Sequence, residues 1–266
     1  MTVAAMDEAK TAPFTLGPPR GEAIAAVLLI HGFTGSPWEV RPLAESLAAR
    51  GFHVHAIRLP GHGVGPEAMA WVTWRDWESA AEEALQQLKG FAHVFVAGLS
   101  MGALLGMLLA ARNPNRIRGL ALMAPVWKLR PLDGRLLRAL RWLPIARWTG
   151  MWIEKKTTDI EDDAARADAP ILPRYPLARL YDLFTVQDHA RDAVPRVHCP
   201  ALVAAAEHDH VVDFQSVERL VAALPHAQLL TLRRGFHILP RDNDRALLAD
   251  AVAGFFDGLA ARNPPG

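Results

Sequence analysis

The chain has 266 residues, 51% of them hydrophobic, and a formal charge of +1 at pH 7. That is enough apolar material for one large α/β domain with an insertion, and too little net charge for bulk attraction to nucleic acid. A single cysteine, Cys199, excludes an internal disulfide, and no run approaches the roughly 18 apolar residues that a membrane span needs.

Residues 1–22 are polar and then rich in Pro and Gly, which predicts a frayed start with one edge strand near Phe14. The opening MTVAAMDEAKTAP lacks the apolar stretch of a secretion signal, so a cytoplasmic location is expected. Residues 23–30 (AIAAVLLI) form a continuous apolar run, as a fully buried parallel strand does. After His31-Gly32-Phe33-Thr34-Gly35, Ser36 reads as an N-cap and Pro37 as the first position of a helix ending near Gly51. A strand is expected over 52–59 and a helix over 71–88, with a turn-rich Pro60-Gly61-His62-Gly63 between them. Further strands are expected at 94–97, 119–123, 201–206 and 228–232, with helices at 214–224 and 245–259. Strands alternating with helices imply a doubly wound, mostly parallel sheet. Residues 127–190 break that rhythm with scattered Pro, dense Arg and Trp and then acids, and read as an inserted helical cap. The core would then be 1–126 and 191–266.

The stretch 91–112 (FAHVFVAGLSMGALLGMLLAAR) carries the chemistry. A strand runs into Gly98-Leu99-Ser100-Met101-Gly102 and on into a helix stopped by Asn113-Pro114, the strand–turn–helix context of a nucleophile elbow. Parallel sheets place their chemistry at the carboxyl ends of their strands, and this sorts the candidate partners of Ser100. His53 and His55 lie within a strand and read as core or surface histidines, while His226 precedes one and lies at the wrong end. His237 follows the last strand and is the expected base. After strand 201–206, Asp209 is the expected orienting carboxylate, with Glu207 the weaker candidate and Asp213 more probable as a helix N-cap. No metal site is expected at His208, Asp209 and His210, since no further ligand cluster is evident. The backbone N–H groups of Met101, after the nucleophile, and of Phe33, after the first long strand, are the expected oxyanion donors.

The order Ser…Asp…His is that of α/β-hydrolases. The motifs HGFTG at 31–35, GHG at 61–63, Asp76-Trp77, GLSMG at 98–102, His208-Asp209 and His237 resemble those of the bacterial carboxylesterase and monoacylglycerol lipase family of thermophilic bacilli. The likeness spans about 23–126 and 191–260 and fades in the cap. Ala103-Leu104 departs from it, standing where that family shows another glycine. The resemblance implies an α/β-hydrolase fold, Ser100, Asp209 and His237 as the triad, Phe33 and Met101 as oxyanion donors, and cofactor-free hydrolysis of small-molecule carboxylic esters. Thioesters or a carbon–carbon bond are alternative substrates of such a triad. The reading from another class is a ligand-binding protein with little turnover.

Trp71, Trp74 and Trp77, three residues apart, read as core rather than as an acyl pocket. His62 fits a structural turn and a substrate contact equally. The basic, Trp-bearing stretch 128–148 reads as a solvated lid, with transient contact to a lipid surface as the alternative.

Overall fold

In the computed structural model, which describes residues 7–130 and 150–262, each apolar run of the core becomes a strand. The strands are β1 (Phe14–Leu16), β2 (Ala26–Ile30), β3 (His53–Ile57), β4 (Val94–Leu99), β5 (Ile117–Met123), β6 (Trp152–Glu154), β7 (Arg174–Pro176), β8 (Ala201–Ala206) and β9 (Ala227–Leu232). The helices are α1 (Glu8–Thr11), α2 (Arg41–Ala49), α3 (Pro66–Ala70), α4 (Trp74–Gln87), α5 (Met101–Arg112), α6 (Asp163–Asp168), α7 (Leu177–Ala193), α8 (Phe214–Ala223) and α9 (Arg245–Arg262).

Seven strands form one sheet in the order β1-β3-β2-β4-β5-β8-β9. The edge strand β1 is antiparallel to β3, and the other pairings are parallel. Strand alternation divides the core in two. Leu28, Ile30, Val96 and Val203 face α4, α5, α7 and α8 on one side. Val27, Leu29, Phe95 and Ala97 face α2 and α9 on the other. From β2 the chain winds one way to β3, and from β4 the other way to β5 and β8. The switch point therefore lies between β2 and β4, where Ile30 is level with Gly98. Ligands of doubly wound sheets bind outside the carboxyl ends of such strands.

Local details depart from expectation for identifiable reasons. Ser36 precedes a 3-10 turn, Pro37–Val40, rather than the α-helix itself, and makes no side-chain cap bond. Helix α4 starts at Trp74 because the N–H and hydroxyl of Thr73 both donate to Asp76 (2.7 and 2.9 Å), fixing the start there. The tryptophans consequently part company: Trp77 is fully buried and Trp71 is 88% exposed. Asp213 does occupy an N-cap position, but its carboxylate turns to Lys128 and Arg219.

Residues 131–149, most of the basic stretch, lie outside the described residues. After them come features that the sequence reading did not contain. The strands β6 and β7 pair into a small antiparallel ribbon, Ile153 opposite Tyr175. Helix α7 crosses the expected boundary at residue 190 and packs on α4 and α5, with Tyr181, Phe184 and Val186 in the main core. Among the described residues, no helix is long and apolar enough to cross a membrane.

Candidate active site

Ser100 joins β4 to α5 at φ 56° and ψ −111°, a backbone state that costs an L-residue on the order of 1–3 kcal/mol. The surroundings hold it there. Its N–H donates to the Met123 carbonyl on β5 (2.8 Å). A Cβ on Gly98 would lie 2.2 Å from the Gly102 carbonyl oxygen, and one on Gly102 would lie 2.2 Å from that of Ile30. The two glycines thus let helix α5 start directly against the ends of β4 and β2. Ala103 and Leu104 are fully buried and take up the close packing behind them. Met101 opens α5, so its N–H is among the first four of the helix and has no acceptor within it.

The loop after β2 faces this turn. His31 is buried; its Nε2 accepts the Leu59 N–H (3.0 Å), and its Nδ1 lies 2.8 Å from the Gly32 carbonyl. Burial, and next the nearby His62, hold its pKa well below the usual histidine range, so the ring is neutral. Thr34 sits at φ 61°, which turns the chain sharply in the loop that faces Ser100. The Gly32 N–H donates to Glu39 Oε2 (2.9 Å), and the Phe33 ring packs edge-on against Trp77 and Tyr175. His62, open to two readings from sequence, is buried beside Phe33 and Trp77 and takes no place in the cavity wall. Burial lowers its pKa to about 4, so it is a neutral buttress.

His237 and Asp209 come from the loops after β9 and β8 and meet beneath the same edge. His237 Nδ1 lies 2.8 Å from Asp209 Oδ2, with both side chains buried. The other oxygen, Oδ1, accepts the N–H groups of Val211 and Val212 at 2.7 and 2.8 Å. Burial opposes the charged carboxylate, but the His237 charge and hydrogen bond, with those two N–H groups, outweigh it and hold Asp209 below the usual range. Burial likewise lowers His237, yet the Asp209 charge and hydrogen bond, and the more distant Asp159 and Glu39, raise it above the usual range. Glu207 and His208 are exposed, whereas Asp209 is buried. His210 turns to Asp159, 2.8 Å away, rather than joining Asp209 as a ligand pair.

Ser100, Phe33 and His237 line one cavity of about 360 Å³. Its lining combines apolar residues, among them Val126, Leu129, Leu180, Leu183 and Val211, with polar ones, among them Glu39, Lys155, Thr158, Asp159 and His210. Glu39 and Lys155 carry no signal in the sequence that points to the site, since a glutamate in the first turn of a helix looks like ordinary dipole compensation and no pattern marks the lysine. Asp159 reads there only as the start of an acidic run that neutralises the basic stretch before it.

The comparisons with known proteins agree with this architecture. The model of the family described as serine aminopeptidase, S33, matches residues 21–244. A thermostable monoacylglycerol lipase of Bacillus sp. (strain H-257) is 30% identical over 235 residues, 86% of this chain and 89% of that protein. A carboxylesterase of Bacillus subtilis (strain 168) is 28% identical over 238 residues, 88% and 93% of the two chains. Among solved structures, one from work on metagenome-derived lipolytic enzymes superposes with a TM-score of 0.84 at 29% identity, covering 94% of this chain and 98% of that one. The family match takes in β2 through β9, from the loop that faces Ser100 to the loop that carries His237, and so the chain belongs to the α/β-hydrolases, within the serine aminopeptidase S33 family.

Proposed function

We propose that the chain is a serine carboxylic ester hydrolase in which Ser100 is the nucleophile, His237 the general base, Asp209 its orienting carboxylate, and the backbone N–H groups of Phe33 and Met101 the oxyanion donors. The observation that carries this reading is the buried Asp209–His237 pair opening onto the cavity that also contains the strained Ser100. His237 Nε2 takes the Ser100 proton as Oγ adds to the ester carbonyl. The oxyanion rests on the two N–H groups, and its collapse expels the alcohol, which takes the proton back from His237. A water deprotonated by His237 then adds to the acyl-enzyme, and the second collapse releases the acid and restores Ser100. No cofactor enters these steps.

The substrates are short- to medium-chain esters or monoacylglycerols. A cavity of about 360 Å³ is at the small end for ligand pockets, and a lining that combines apolar and polar side chains suits an acyl chain attached to a hydroxylated alcohol. Within the 127–190 insertion, the described segment 150–176 caps this cavity, with Lys155, Thr158 and Tyr175 in its wall. A cytoplasmic location accords with the single half-buried cysteine.

Hydrolysis of p-nitrophenyl esters from acetate to laurate, with Ser100→Ala alongside, tests the reading. Activity on medium chains that disappears in the variant supports it. An absence of turnover on every ester by the wild type overturns it and favours a binding role.

A further inference from the structure

Among the ionisable side chains of the cavity wall that have no step in this reaction, Glu39 and Lys155 both bond to the loop that carries Phe33. Glu39 lies on the inner face of the loop that carries Phe33. Its Oε2 accepts the Gly32 N–H at 2.9 Å, and a Cβ on Gly35 would fall 2.2 Å from both its oxygens, so the carboxylate occupies the hollow of the turn. A Cβ on Gly32 would meet Glu39 Oε2 at 3.3 Å and Ser100 Cβ at 3.4 Å. Carboxylate and nucleophile therefore flank one glycine. Lys155 reaches the same loop at Thr34. Its N–H donates to the Pro173 carbonyl (2.8 Å) at the end of the β6–β7 ribbon, and its Nζ donates to Thr34 Oγ1 (2.8 Å). Thr34 is the residue held at positive φ, next to Phe33.

We propose that Glu39 and Lys155 are positioning residues that clamp the Gly32–Thr34 turn between the core and the β6–β7 ribbon, and so aim the Phe33 N–H at the oxyanion. The proposal rests on the reading of Phe33 as a donor. The physical case is that a hydrogen-bond donor stabilises a transition state only if it already points where the charge will develop. A loop with two glycines and a strained threonine has no such rigidity of its own. Glu39 fixes the peptide before Phe33, and Lys155 fixes the residue after it.

The charges fit the same role. A lone carboxylate this close would oppose an oxyanion, and Lys155 offsets it. The groups facing Glu39 are Lys155, His237 and Arg241, and those facing Lys155 are Glu39 and Asp159. Burial raises the Glu39 pKa even so, with Lys155, the Gly32 N–H, His237 and Arg241 opposing it. The sign follows: stability from this group is greatest when it is protonated and falls as pH rises from its ordinary 4.5 through the folded value.

The test uses Glu39→Ala, Lys155→Met, their double variant and Glu39→Gln. Reactive serine is counted with a fluorophosphonate, and a trifluoromethyl ketone of matched acyl length serves as the oxyanion-forming inhibitor. Each single loss is expected to lower kcat per labelled serine roughly ten- to a hundredfold, leave KM within about twofold, and weaken the ketone by the same factor as kcat. The double variant should lose less than the product of the singles, because both act on one turn. Glu39→Gln keeps an acceptor for the Gly32 N–H and should recover part of the loss. Wild-type kcat and ketone affinity in both singles, or a loss in the double equal to the product, would overturn the clamp. Should Glu39→Ala fail to fold, Lys155→Met carries the test by the same kcat and ketone readings. A wild type that the fluorophosphonate leaves unlabelled sinks the serine mechanism itself, whereas labelled wild type with unmoved variants sinks only the clamp.

Discussion

The main-chain carbonyl of Asp159 accepts the N–H of His237 at 3.1 Å and that of Ile238 at the same distance. The loop that carries the proposed base is thus hung from the segment between β6 and α6, not only from β9. Asp242 reinforces the attachment: Oδ2 accepts from Phe236 and Glu161, and Oδ1 from Asn243 and Asp162. One buried carboxylate stitches the His237 loop to residues 161 and 162. The imidazole is oriented by Asp209 at its tip and by this stitching at its root.

The first prediction concerns pH. His237 must be neutral to take the Ser100 proton, and Asp209, with Asp159 and Glu39, holds its pKa above 6.5 against the effect of burial. Ester hydrolysis should therefore rise with pH through an apparent pKa above 6.5. Asp209→Asn should move that limb to lower pH and reduce kcat by about four orders of magnitude. Stability follows with opposite signs from the two groups. The raised His237 contributes fully below its unfolded value and loses that contribution as pH rises through its folded pKa. The depressed Asp209 contributes above its unfolded 3.8 and loses it as pH falls through its folded pKa. The gap in Tm between wild type and Asp209→Asn should be widest between these limits, as melting curves across pH will show.

Ser100→Gly should be inactive yet more stable than Ser100→Ala. Glycine takes positive φ without steric penalty, so about 1 kcal/mol of backbone strain is released, or roughly 2–4 °C in Tm for a chain of this size. Alanine keeps the strain and loses only the hydroxyl. Calorimetry of the two variants separates the cost of holding the nucleophile from the cost of having one. Equal melting temperatures would show the turn unstrained.

Two classes of glycine should respond in opposite directions. Gly98→Ala drives a methyl to 2.2 Å from a backbone oxygen that cannot retreat, and should cost more than about 3 kcal/mol, seen as loss of soluble, active protein. Gly254 and Gly258 lie on the exposed side of α9, where a Cβ meets nothing within 4 Å. Their replacement by alanine should raise stability by about 0.5–1 kcal/mol each and leave kcat unchanged.

The sheet was legible because its strands are apolar runs bounded by Gly and Pro, and the Ser100, Asp209 and His237 positions because each follows such a run. The start of α4 is also written in the sequence: Thr73 with Asp76 three residues on is a capping box, and it leaves Trp71 outside the helix. Glu39 and Lys155 were not legible. Their meaning comes from burial and from a contact between positions 34 and 155, which no local period encodes. The ribbon β6–β7 was hidden for a related reason: three half-exposed residues a side are too few to show alternation. Helix α7 carries apolar and polar residues around its whole circumference, because the core wraps it, and so presents no single stripe to read.

The groups around Ser100 hang from four separated loops, after β2, β4, β8 and β9, and this has a consequence for biosynthesis. Ser100 leaves the ribosome about half a chain length ahead of His237. Until β8 and β9 have added to the far side of β5, Ser100 is without the base proposed for it and is an ordinary alcohol. Hydrolytic power is thus acquired in one late step, when the last long-range strand pairings close. During refolding, ester turnover should lag behind the return of helical signal, which makes activity a clock for the slowest part of folding.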